Sequence, residues 1–584
     1  MITGLKDNFD EIWVVDFEFS SPPGEIPEVA CMVAKECFSG QLIRMGADEL
    51  QLRVSAPFPV GERTLVVAFF SSAEWSCFLE LGWPLPVRIL DLYVEFKNRF
   101  DRTQTVAGSS LLGALAQFGL SSIEAAEKDD MRQLAMRGGP FTASEMDNLL
   151  GYCQSDVDCT ERLFVEMYKG IDLPRALLRG RYMSAVAVME RNGIPIDCDR
   201  LEDIRMNWDG IKEELISAVD GQYNVYDGLS FNEAKFRDML KREGIPWPYR
   251  ENGKLKLDSE TFKRQAKTFP IVADLQSLRQ ALSGLKLEQL AVGVDGRNRC
   301  LLSPFASRTS RNQPSTNKFI FGPAVWLRSS IKPSKGKAVA YIDWSNQELG
   351  IGAALSGDEN MLADYNTGDP YLALAKSVKA VPQWATKKSH EREREMYKRC
   401  ALGVQYGMTE YGLARSLNVD LVFARSLLRR HKEAYPKFWQ WSQANVDRAM
   451  LRGYLKTVFG WTLQVTNDTK ATTLANFPCQ ANGAEMMRLA CCLAIEAGVK
   501  VCCPVHDALL IESDTNGIEL EIEKTRKLMA DASRQVLDGF ELRTDVEVVR
   551  YPDRYVDSRG RKMWETVIQL CDSSGTLAPV QEWN

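Results

Sequence analysis

The stretch Ala340-Tyr341-Ile342-Asp343-Trp344-Ser345-Asn346-Gln347-Glu348-Leu349 decides the fold of this chain, because an apolar, strand-like run ends there in a carboxylate. A second carboxylate, Asp507, stands in Pro504-Val505-His506-Asp507-Ala508, between two apolar runs that are typical of a β-hairpin. Two carboxylates held by distant segments can bind two divalent metal ions, as nucleotidyl transfer requires.

A helix rich in cations is predicted between these two segments. Four of its residues recur at every fourth position: Arg394, Lys398, Leu402 and Tyr406. On a helix they form one stripe, cationic at its start and apolar, then aromatic, at its end. This order suits a nucleotide with its phosphates toward Arg394 and Lys398 and its base toward Tyr406. A surface helix with a basic end is the alternative. The interior glycines Gly403 and Gly407 weigh against it, since each costs a helix about 1 kcal/mol, and they favour a helix whose backbone another group approaches closely.

Bulk properties indicate a multidomain globular protein. The 584 residues carry a net charge of −6, with 45% apolar and 26% charged residues, and this length predicts roughly three to four domains. We find no apolar run of about 18 residues and no signal-peptide pattern at the N-terminus, so we expect a cytoplasmic protein without a membrane span. The sequence has fourteen cysteines, no Cys-x-x-Cys and three histidines, which argues against zinc. The pairs Cys491-Cys492 and Cys502-Cys503 lie in apolar runs and are predicted to be buried free thiols.

The segment 296–342 contains no Asp or Glu, although the chain as a whole is acidic. Its cations are Arg297, Arg299, Arg308, Arg311, Lys318, Arg328, Lys332, Lys335 and Lys337. A local basic stripe suits a nucleic-acid backbone. The alternative interpretation is a solvated basic loop.

The coarse pattern along the chain predicts an α/β domain first and mostly helical segments later. Strands are predicted at 11–19, 65–70, 87–91 and 338–342, and a hairpin within 500–515. Helices are predicted near 109–119, 142–168, 174–190 and 386–450. Asn192-Gly193-Ile194-Pro195 should end the helix that precedes it.

Residues 175–560 resemble the family A DNA polymerases, the bacterial DNA polymerase I type. The stretch from Asp343 to Asp358 resembles motif A, Arg394 to Met408 resembles motif B, and Val505-His506-Asp507 resembles motif C. Thr309-Ser310-Arg311 is similar to the element that contacts the primer–template minor groove, and Asn476 to Gln480 is similar to the template-side element.

The resemblance implies a role for each matching residue. Asp343 and Asp507 would bind the metals, while Arg394 and Lys398 would hold the triphosphate, with Lys398 protonating the pyrophosphate. Tyr406 would stack near the templating position and Glu348 would exclude a ribose 2′-hydroxyl. The duplex would be bound by Arg311, Asn476, Gln480 and His506.

Three positions depart from the family pattern. Ala508 stands where motif C carries Glu, Leu402 replaces an aromatic residue that packs on the sugar, and Trp344 replaces Tyr. Polymerase activity is expected to survive these changes, whereas discrimination between sugars is expected to differ.

A second set of carboxylates lies near the N-terminus. Asp16 and Glu18 are two apart on a predicted strand and project to one face, where they could bind a metal or form a polar strand face. Tyr152 and Asp156 are one helical turn apart. This set resembles the 3′–5′ proofreading exonuclease of the same family, which has a ribonuclease-H-like fold. The resemblance implies that Asp156 completes the metal site and that Tyr152 orients the attacking water.

The middle exonuclease motif lacks its Asp in this chain. Glu74 in Ser72-Ala73-Glu74-Trp75 could supply the carboxylate, one methylene longer. Asp91 is a second candidate that resembles a structural position of the family. If neither reaches the metals, proofreading would be weak or absent.

The sequence thus predicts an α/β and α+β multidomain enzyme, a DNA polymerase with a 3′–5′ exonuclease. Its predicted segments are exonuclease (1–170), polymerase start and thumb (171–300), first palm part (301–350), fingers (351–450), and second palm part with the C-terminus (451–584). Primer–template DNA, dNTPs and two Mg²⁺ per site, replaceable by Mn²⁺, are the implied partners of a monomer.

The organisation resembles phage polymerases, including a branch linked to genomes that carry 2-aminoadenine. The alternatives are an exonuclease with a degenerate polymerase half and a non-catalytic DNA-binding scaffold.

Overall fold

A computed structural model describes residues 3–100, 105, 107–121, 125–283, 287–322 and 324–574. The chain forms two compact units. The first combines residues 1–193, 301–313 and 340–548, and the second combines 194–300, 314–339 and 549–584. The five-segment division expected from the sequence stays a prediction.

The first unit begins with a five-stranded sheet of order β3-β2-β1-β4-β5. Its strands are Glu11–Ser20 (β1), Glu28–Glu36 (β2), Leu42–Gly46 (β3), Thr64–Ala68 (β4) and Arg88–Asp91 (β5). The pairs β1–β2 and β2–β3 are antiparallel, whereas β1–β4 and β4–β5 are parallel. Val14 and Val67 are fully buried, as expected where helices cover a sheet.

Helices surround this sheet. They are Ala47–Gln51 (α1), Ser72–Glu80 (α2), Leu92–Arg99 (α3), Leu111–Gln117 (α4), Ala125–Arg137 (α5), Ala143–Met167 (α6) and Leu173–Asn192 (α7). Helix α6 begins with a capping box in which Thr142 and Glu145 satisfy each other's backbone N–H groups. It packs on β1 and β2, and this contact brings its polar residues to the sheet.

The second unit contains a helical section with its own core. Its elements up to residue 300 are Ile194–Pro195 (β6), Cys198–Met206 (α8), Trp208–Asp220 (α9), Tyr226–Asp227 (β7), Ser230–Phe231 (β8), Glu233–Arg242 (α10), Ser259–Thr268 (α11), Ala273–Ser283 (α12) and Arg297–Asn298 (β9). Phe236, Trp247 and Phe262 are buried and their rings contact one another, so aromatic packing holds this section together.

A second sheet has the order β13-β14-β10-β15. Its strands are Lys500–Val505 (β13), Ala508–Asp514 (β14), Lys337–Trp344 (β10) and Thr544–Arg550 (β15). A separate small hairpin pairs Tyr454–Lys456 (β11) with Thr462–Gln464 (β12). Because β10 lies between β14 and β15, the segment from Asp343 onward is adjacent to two distant parts of the chain.

Helices fill most of the remaining chain. They are Gln347–Ser356 (α13), Glu359–Asn366 (α14), Pro370–Ser377 (α15), Glu391–Gln405 (α16), Glu410–Leu417 (α17), Leu421–Ala434 (α18), Pro436–Arg452 (α19), Ala471–Glu496 (α20), Ile518–Val536 (α21) and Arg561–Ser574 (α22). Short 3₁₀ turns occupy Thr3–Leu5, Tyr168–Gly170, Pro270–Val272, Leu287–Gln289 and Val325–Ser330.

The structure confirms the predicted strands and the hairpin at 500–515 to within two or three residues. Helix α7 ends at Asn192, and Gly193 follows with φ of 58°, as expected. The adjacent cysteine pairs at 491–492 and 502–503 are buried and form no disulfide bond, which confirms that interpretation. Among the described residues, no helix combines the length and apolar character needed to cross a membrane.

Candidate active sites

The second sheet brings the two carboxylates of the sequence prediction together. Asp343 is the penultimate residue of β10, and Asp507 lies in the two-residue turn between β13 and β14. The backbone N–H of Trp344 donates to the carbonyl oxygen of Asp507 at 3.1 Å. This bond fixes the strand end that carries Asp343 against the hairpin tip that carries Asp507.

A third carboxylate, Asp545, adjoins this pair. It lies on β15 and accepts a hydrogen bond from the Ser345 hydroxyl at 2.6 Å. Burial, followed by the negative charges of Asp507 and Asp545, raises the pKa of Asp343 to about 6. Burial also raises the pKa of Asp507. Concentrated carboxylate oxygens are the ligands that Mg²⁺ and similar cations prefer, so the donor set fits the predicted metals.

Sequence reasoning missed Asp545, because only the strand order places β15 beside β10. The available signal was weak: an Asp within the strand-like run Thr544-Asp545-Val546-Glu547-Val548. Tyr365, which is fully buried, secures the contact, since its hydroxyl donates to the Ser345 carbonyl at 3.1 Å and accepts from the Arg543 N–H at 3.0 Å.

Glu348 lies in the first turn of α13 and is held by two side chains. Its Oε1 accepts from Arg311 Nη2 at 3.2 Å and from the Tyr406 hydroxyl at 3.3 Å. The sequence assigned Glu348 and Tyr406 to the nucleotide and Arg311 to the duplex. Glu348 therefore connects the predicted nucleotide-binding residues with a predicted DNA-binding residue.

The predicted stripe of four residues on one helix is wrong at its last position. Helix α16 ends at Gln405, and Tyr406 is its C-cap residue. Gly407 has φ of 67°; its N–H donates to Val404 O at 2.9 Å and the N–H of Met408 donates to Gly403 O at 2.8 Å. These two bonds form a Schellman motif, which ends the helix.

The structure confirms that other groups approach Gly403 and Gly407 closely. A Cβ on Gly403 would lie 3.1 Å from Met408 Sδ, and a Cβ on Gly407 would lie 2.6 Å from Thr472 Cγ2. The groups that approach these glycines therefore belong to the protein itself.

The predicted phosphate-binding cations lie on α16. Arg394 Nε donates to Asp369 Oδ2 at 2.5 Å, and its guanidinium lies 5.8 Å from the centre of the Tyr371 ring. Lys398 and Leu402 are half-buried on the following turns. Asp369 was not foreseen as a partner, because the Asp-Pro pair at 369–370 is a typical helix start.

The predicted DNA contacts come from two elements. Asn476 and Gln480 lie one turn apart on α20, and Gln480 is hydrogen-bonded to Tyr406. Asn476 Oδ1 is buried and has no hydrogen-bond partner among the described residues. His506 is exposed at the hairpin turn with φ of 56°. His506 therefore adopts the left-handed backbone conformation of the hairpin turn and lies next to Asp507.

The N-terminal sheet gathers the second set of carboxylates. Asp16 and Glu18 lie on β1, and Glu18 is opposite Cys31 of β2. Ligand atoms of Asp16, Glu18 and Cys153 all lie within 4.8 Å of one another. Asp156, expected to complete this site, is not in that group. Cys153 was missed, although it follows Tyr152 directly in the motif.

Glu74 faces this group from α2. It is 4% exposed, and its Oε2 has no hydrogen-bond partner among the described residues. Burial and the charges of Asp16 and Glu18 raise its pKa well above the usual range. Asp91 instead caps α3 and accepts from Ser71 and Val94, in line with the structural role that the sequence suggested. Glu74 is therefore the better placed of the two candidates.

Tyr152 and Asp156 face each other along α6. The Tyr152 hydroxyl is hydrogen-bonded to Asp156; burial and the charges of Asp156, Glu18 and Asp16 raise the pKa of the phenol. Tyr152 therefore stays protonated and keeps a donor near the carboxylates.

Comparison with known proteins agrees with this geometry. Residues 321–550 match the model of DNA polymerase family A. DNA polymerase I of Chloroflexus aurantiacus is 23% identical over 438 residues, which cover 68% of this chain and 46% of the relative. Thermostable DNA polymerase I of Thermus aquaticus is 25% identical over 408 residues, 63% of this chain and 48% of the relative. The chain thus spans about half the length of these curated relatives.

A phage polymerase and a solved structure are also similar to this chain. A DNA polymerase of Mycobacterium phage D29 is 27% identical over 261 residues, 44% of this chain and 42% of the relative. The polymerase domain of Pol1 from M. smegmatis, solved with DNA primer-template and dNTP, superposes with a TM-score of 0.72 at 17% identity, covering 94% of this chain and 97% of that chain. The structure therefore has the fold of a DNA polymerase I polymerase domain.

Proposed function

We propose that this chain, a family A DNA polymerase homologue by its match over residues 321–550, extends the 3′ end of a primer on a DNA template. The observation that carries the proposal is the convergence of Asp343, Asp507 and Asp545 at one edge of the second sheet. Three carboxylates at one edge repel one another unless cations bind between them, and divalent cations are what nucleotidyl transfer needs.

Asp343 and Asp507 would hold the two divalent ions, Mg²⁺ or Mn²⁺. When bound, such ions favour ionisation of the attacking hydroxyl and neutralise the leaving pyrophosphate. Glu348 would exclude a ribose 2′-hydroxyl, and its bonds to Arg311 and Tyr406 keep the carboxylate in a single position. Asn476, Gln480 and His506 would contact the duplex.

Arg394 and Lys398 would bind the triphosphate, and Lys398 would donate a proton to the leaving pyrophosphate. Because Arg394 is paired with Asp369, phosphate binding requires an exchange of partners. The Asp369 carboxylate and the triphosphate compete for the Arg394 guanidinium, so Asp369 sets the affinity for the triphosphate. Leu402 offers the sugar an aliphatic surface.

We further propose a 3′–5′ exonuclease at Asp16 and Glu18, with Glu74 in place of the absent aspartate and Tyr152 and Asp156 adjacent. The buried Oε2 of Glu74, which has no hydrogen-bond partner among the described residues, supports this second activity, because a bound cation would supply the partner that this oxygen lacks. Tyr152 would orient the water that attacks the phosphodiester.

The test is extension of a 5′-labelled primer on a template with Mg²⁺, with and without dNTPs. Asp343→Ala should abolish extension and keep shortening, whereas Asp16→Ala and Glu74→Gln should abolish shortening and keep extension. Wild type that shortens but does not extend would support an exonuclease with a degenerate polymerase half. DNA binding without either reaction would support a scaffold.

The biological role that we propose is replication of a phage or mobile-element genome, with preference for 2-aminoadenine. Competition between dATP and 2-amino-dATP opposite template thymine tests the preference. Equal incorporation would remove that part and leave the polymerase assignment standing.

A further inference from the structure

The nuclease site contains a sulfur donor beside its carboxylates. The Cys153 thiol lies on α6, and its Sγ is within 4.8 Å of a carboxylate oxygen of Asp16 and of Glu18 on β1. It donates a hydrogen bond to the backbone carbonyl of Asp16 at 3.2 Å. The thiol therefore reaches the strand that carries both carboxylates.

A second observation indicates that a cation belongs at this position. Glu74 is 4% exposed, yet its Oε2 has no hydrogen-bond partner among the described residues. Of the negative charges that act on it, those of Asp16 and Glu18 are the largest and that of Asp91 is smaller, so its carboxylate faces the same group. A buried carboxylate oxygen without a donor is costly, and a metal ion in the cluster would satisfy it.

The donor set decides which cations suit the cluster. Mg²⁺ and Ca²⁺ take oxygen ligands, whereas a thiolate selects borderline or soft ions such as Zn²⁺ and Co²⁺. We propose that Asp16, Glu18 and Cys153 form a mixed oxygen–sulfur site, faced by Glu74, that binds a thiophilic divalent cation. The inference rests on the proposed exonuclease, because it specifies a cation class for that centre.

Binding converts the Cys153 thiol into a thiolate. The S–H bond breaks, its proton passes to the buffer, and the sulfur lone pair forms the metal–sulfur bond, with no change in oxidation state. The hydrogen bond to the Asp16 carbonyl is lost in this exchange.

Co²⁺ is the probe, because a cobalt–thiolate bond produces a charge-transfer band in the near ultraviolet. The full-length, fully reduced protein is titrated with Co²⁺ in the absence of Mg²⁺ and DNA. Wild type should develop the band at one equivalent, and Cys153→Ala should lose it. Glu18→Gln keeps the thiol and should retain the band at weaker affinity.

Cys159→Ala is the matched control, since Cys159 is a buried thiol on the same helix, six residues away, and it should leave the band unchanged. A wild type without the band, or a Cys153→Ala protein that keeps it, would overturn the proposal. Absence of primer shortening with both Mg²⁺ and Co²⁺, together with an intact, Cys153-dependent band, would overturn the exonuclease and leave the cation site.

Discussion

At the scale of single residues, the carboxylates of the second sheet repel one another, and this repulsion affects their ionisation. Burial and the charges of Asp507 and Asp545 raise the pKa of Asp343 to about 6, and metal binding needs the ionised form. Primer extension should therefore fall as the pH drops through this range. Removing a neighbouring negative charge favours ionisation of Asp343, so Asp545→Asn should move the acidic limb to lower pH.

The pH profile of kcat/KM for dNTP at a fixed Mg²⁺ concentration below saturation measures this shift, because saturating Mg²⁺ would itself displace the proton. Glu547→Gln is the control, because Glu547 lies two residues further along β15 and does not contribute to the raised pKa of Asp343. An acidic limb that Asp545→Asn leaves in place, or moves to higher pH, would contradict the prediction.

The same raised pKa predicts an effect on stability. A carboxyl with a higher pKa in the folded than in the unfolded protein binds its proton more tightly when folded, so folding loses stability as the pH rises from about 4 to about 6. In EDTA, Asp343→Asn should therefore raise Tm at pH 8 and leave it nearly unchanged at pH 4. Thermal unfolding followed by circular dichroism at both pH values tests this, and a lower Tm at pH 8 would refute it.

Site residues could be predicted from the sequence where they belong to a recognisable motif. Such motifs contain Asp343 and Asp507 in one site and Asp16 and Glu18 in the other. The structure brings the two residues of each pair together. Asp545 and Cys153 were not identified, because their positions depend on strand order and on how α6 lies on β1. Neither property is encoded in local spacing.

At the scale of elements, the end of α16 positions Tyr406. The sequence predicted a continuous helix because Arg394, Lys398, Leu402 and Tyr406 share helical spacing. The left-handed conformation of Gly407 ends the helix instead, and the reason lies outside the helix: Thr472, at the start of α20, packs against the glycine. Periodicity cannot report such a tertiary contact.

Gly407→Ala should therefore destabilise the protein for two reasons. The left-handed backbone opposes a side chain by about 1–2 kcal/mol, and the new Cβ would lie 2.6 Å from Thr472 Cγ2. We expect lower stability and, because Tyr406 moves, a higher KM for dNTP. Urea unfolding and steady-state kinetics measure both.

Gly453→Ala isolates the backbone contribution. Gly453 ends α19 with φ of 78°, and a Cβ added there would meet nothing within 4 Å, so only the conformational cost applies. Adding Thr472→Ser to Gly407→Ala removes the methyl that crowds most and should recover part of the excess loss, since Thr472 Cβ would still lie 2.9 Å from the new Cβ. Equal losses for the two alanine variants would show that the contact with Thr472 is unimportant.

At the scale of the whole molecule, residues 1–193 and 340–548 share one compact unit. A buried ion pair explains part of this. Arg179 of α7 donates to Glu95 of α3 at 2.6 and 2.7 Å, both side chains are about 5% exposed, and Arg179 also donates to the Phe459 carbonyl at 3.4 Å. Composition alone gave no sign that these charges pair.

Arg179→Met should destabilise the protein by about 3–5 kcal/mol, because it leaves Glu95 buried without its partner. Replacing both residues, as in Arg179→Met with Glu95→Leu, removes the orphaned charge and should recover most of the loss. Arg191→Ala breaks the Arg191–Glu80 pair, which is about one-third exposed, and should cost no more than about 1 kcal/mol. Urea unfolding of the four proteins, wild type included, measures the differences. If the double variant were as unstable as Arg179→Met, the loss would come from packing at α7, and the ion pair would not be what joins the N-terminal sheet region to the rest of its unit.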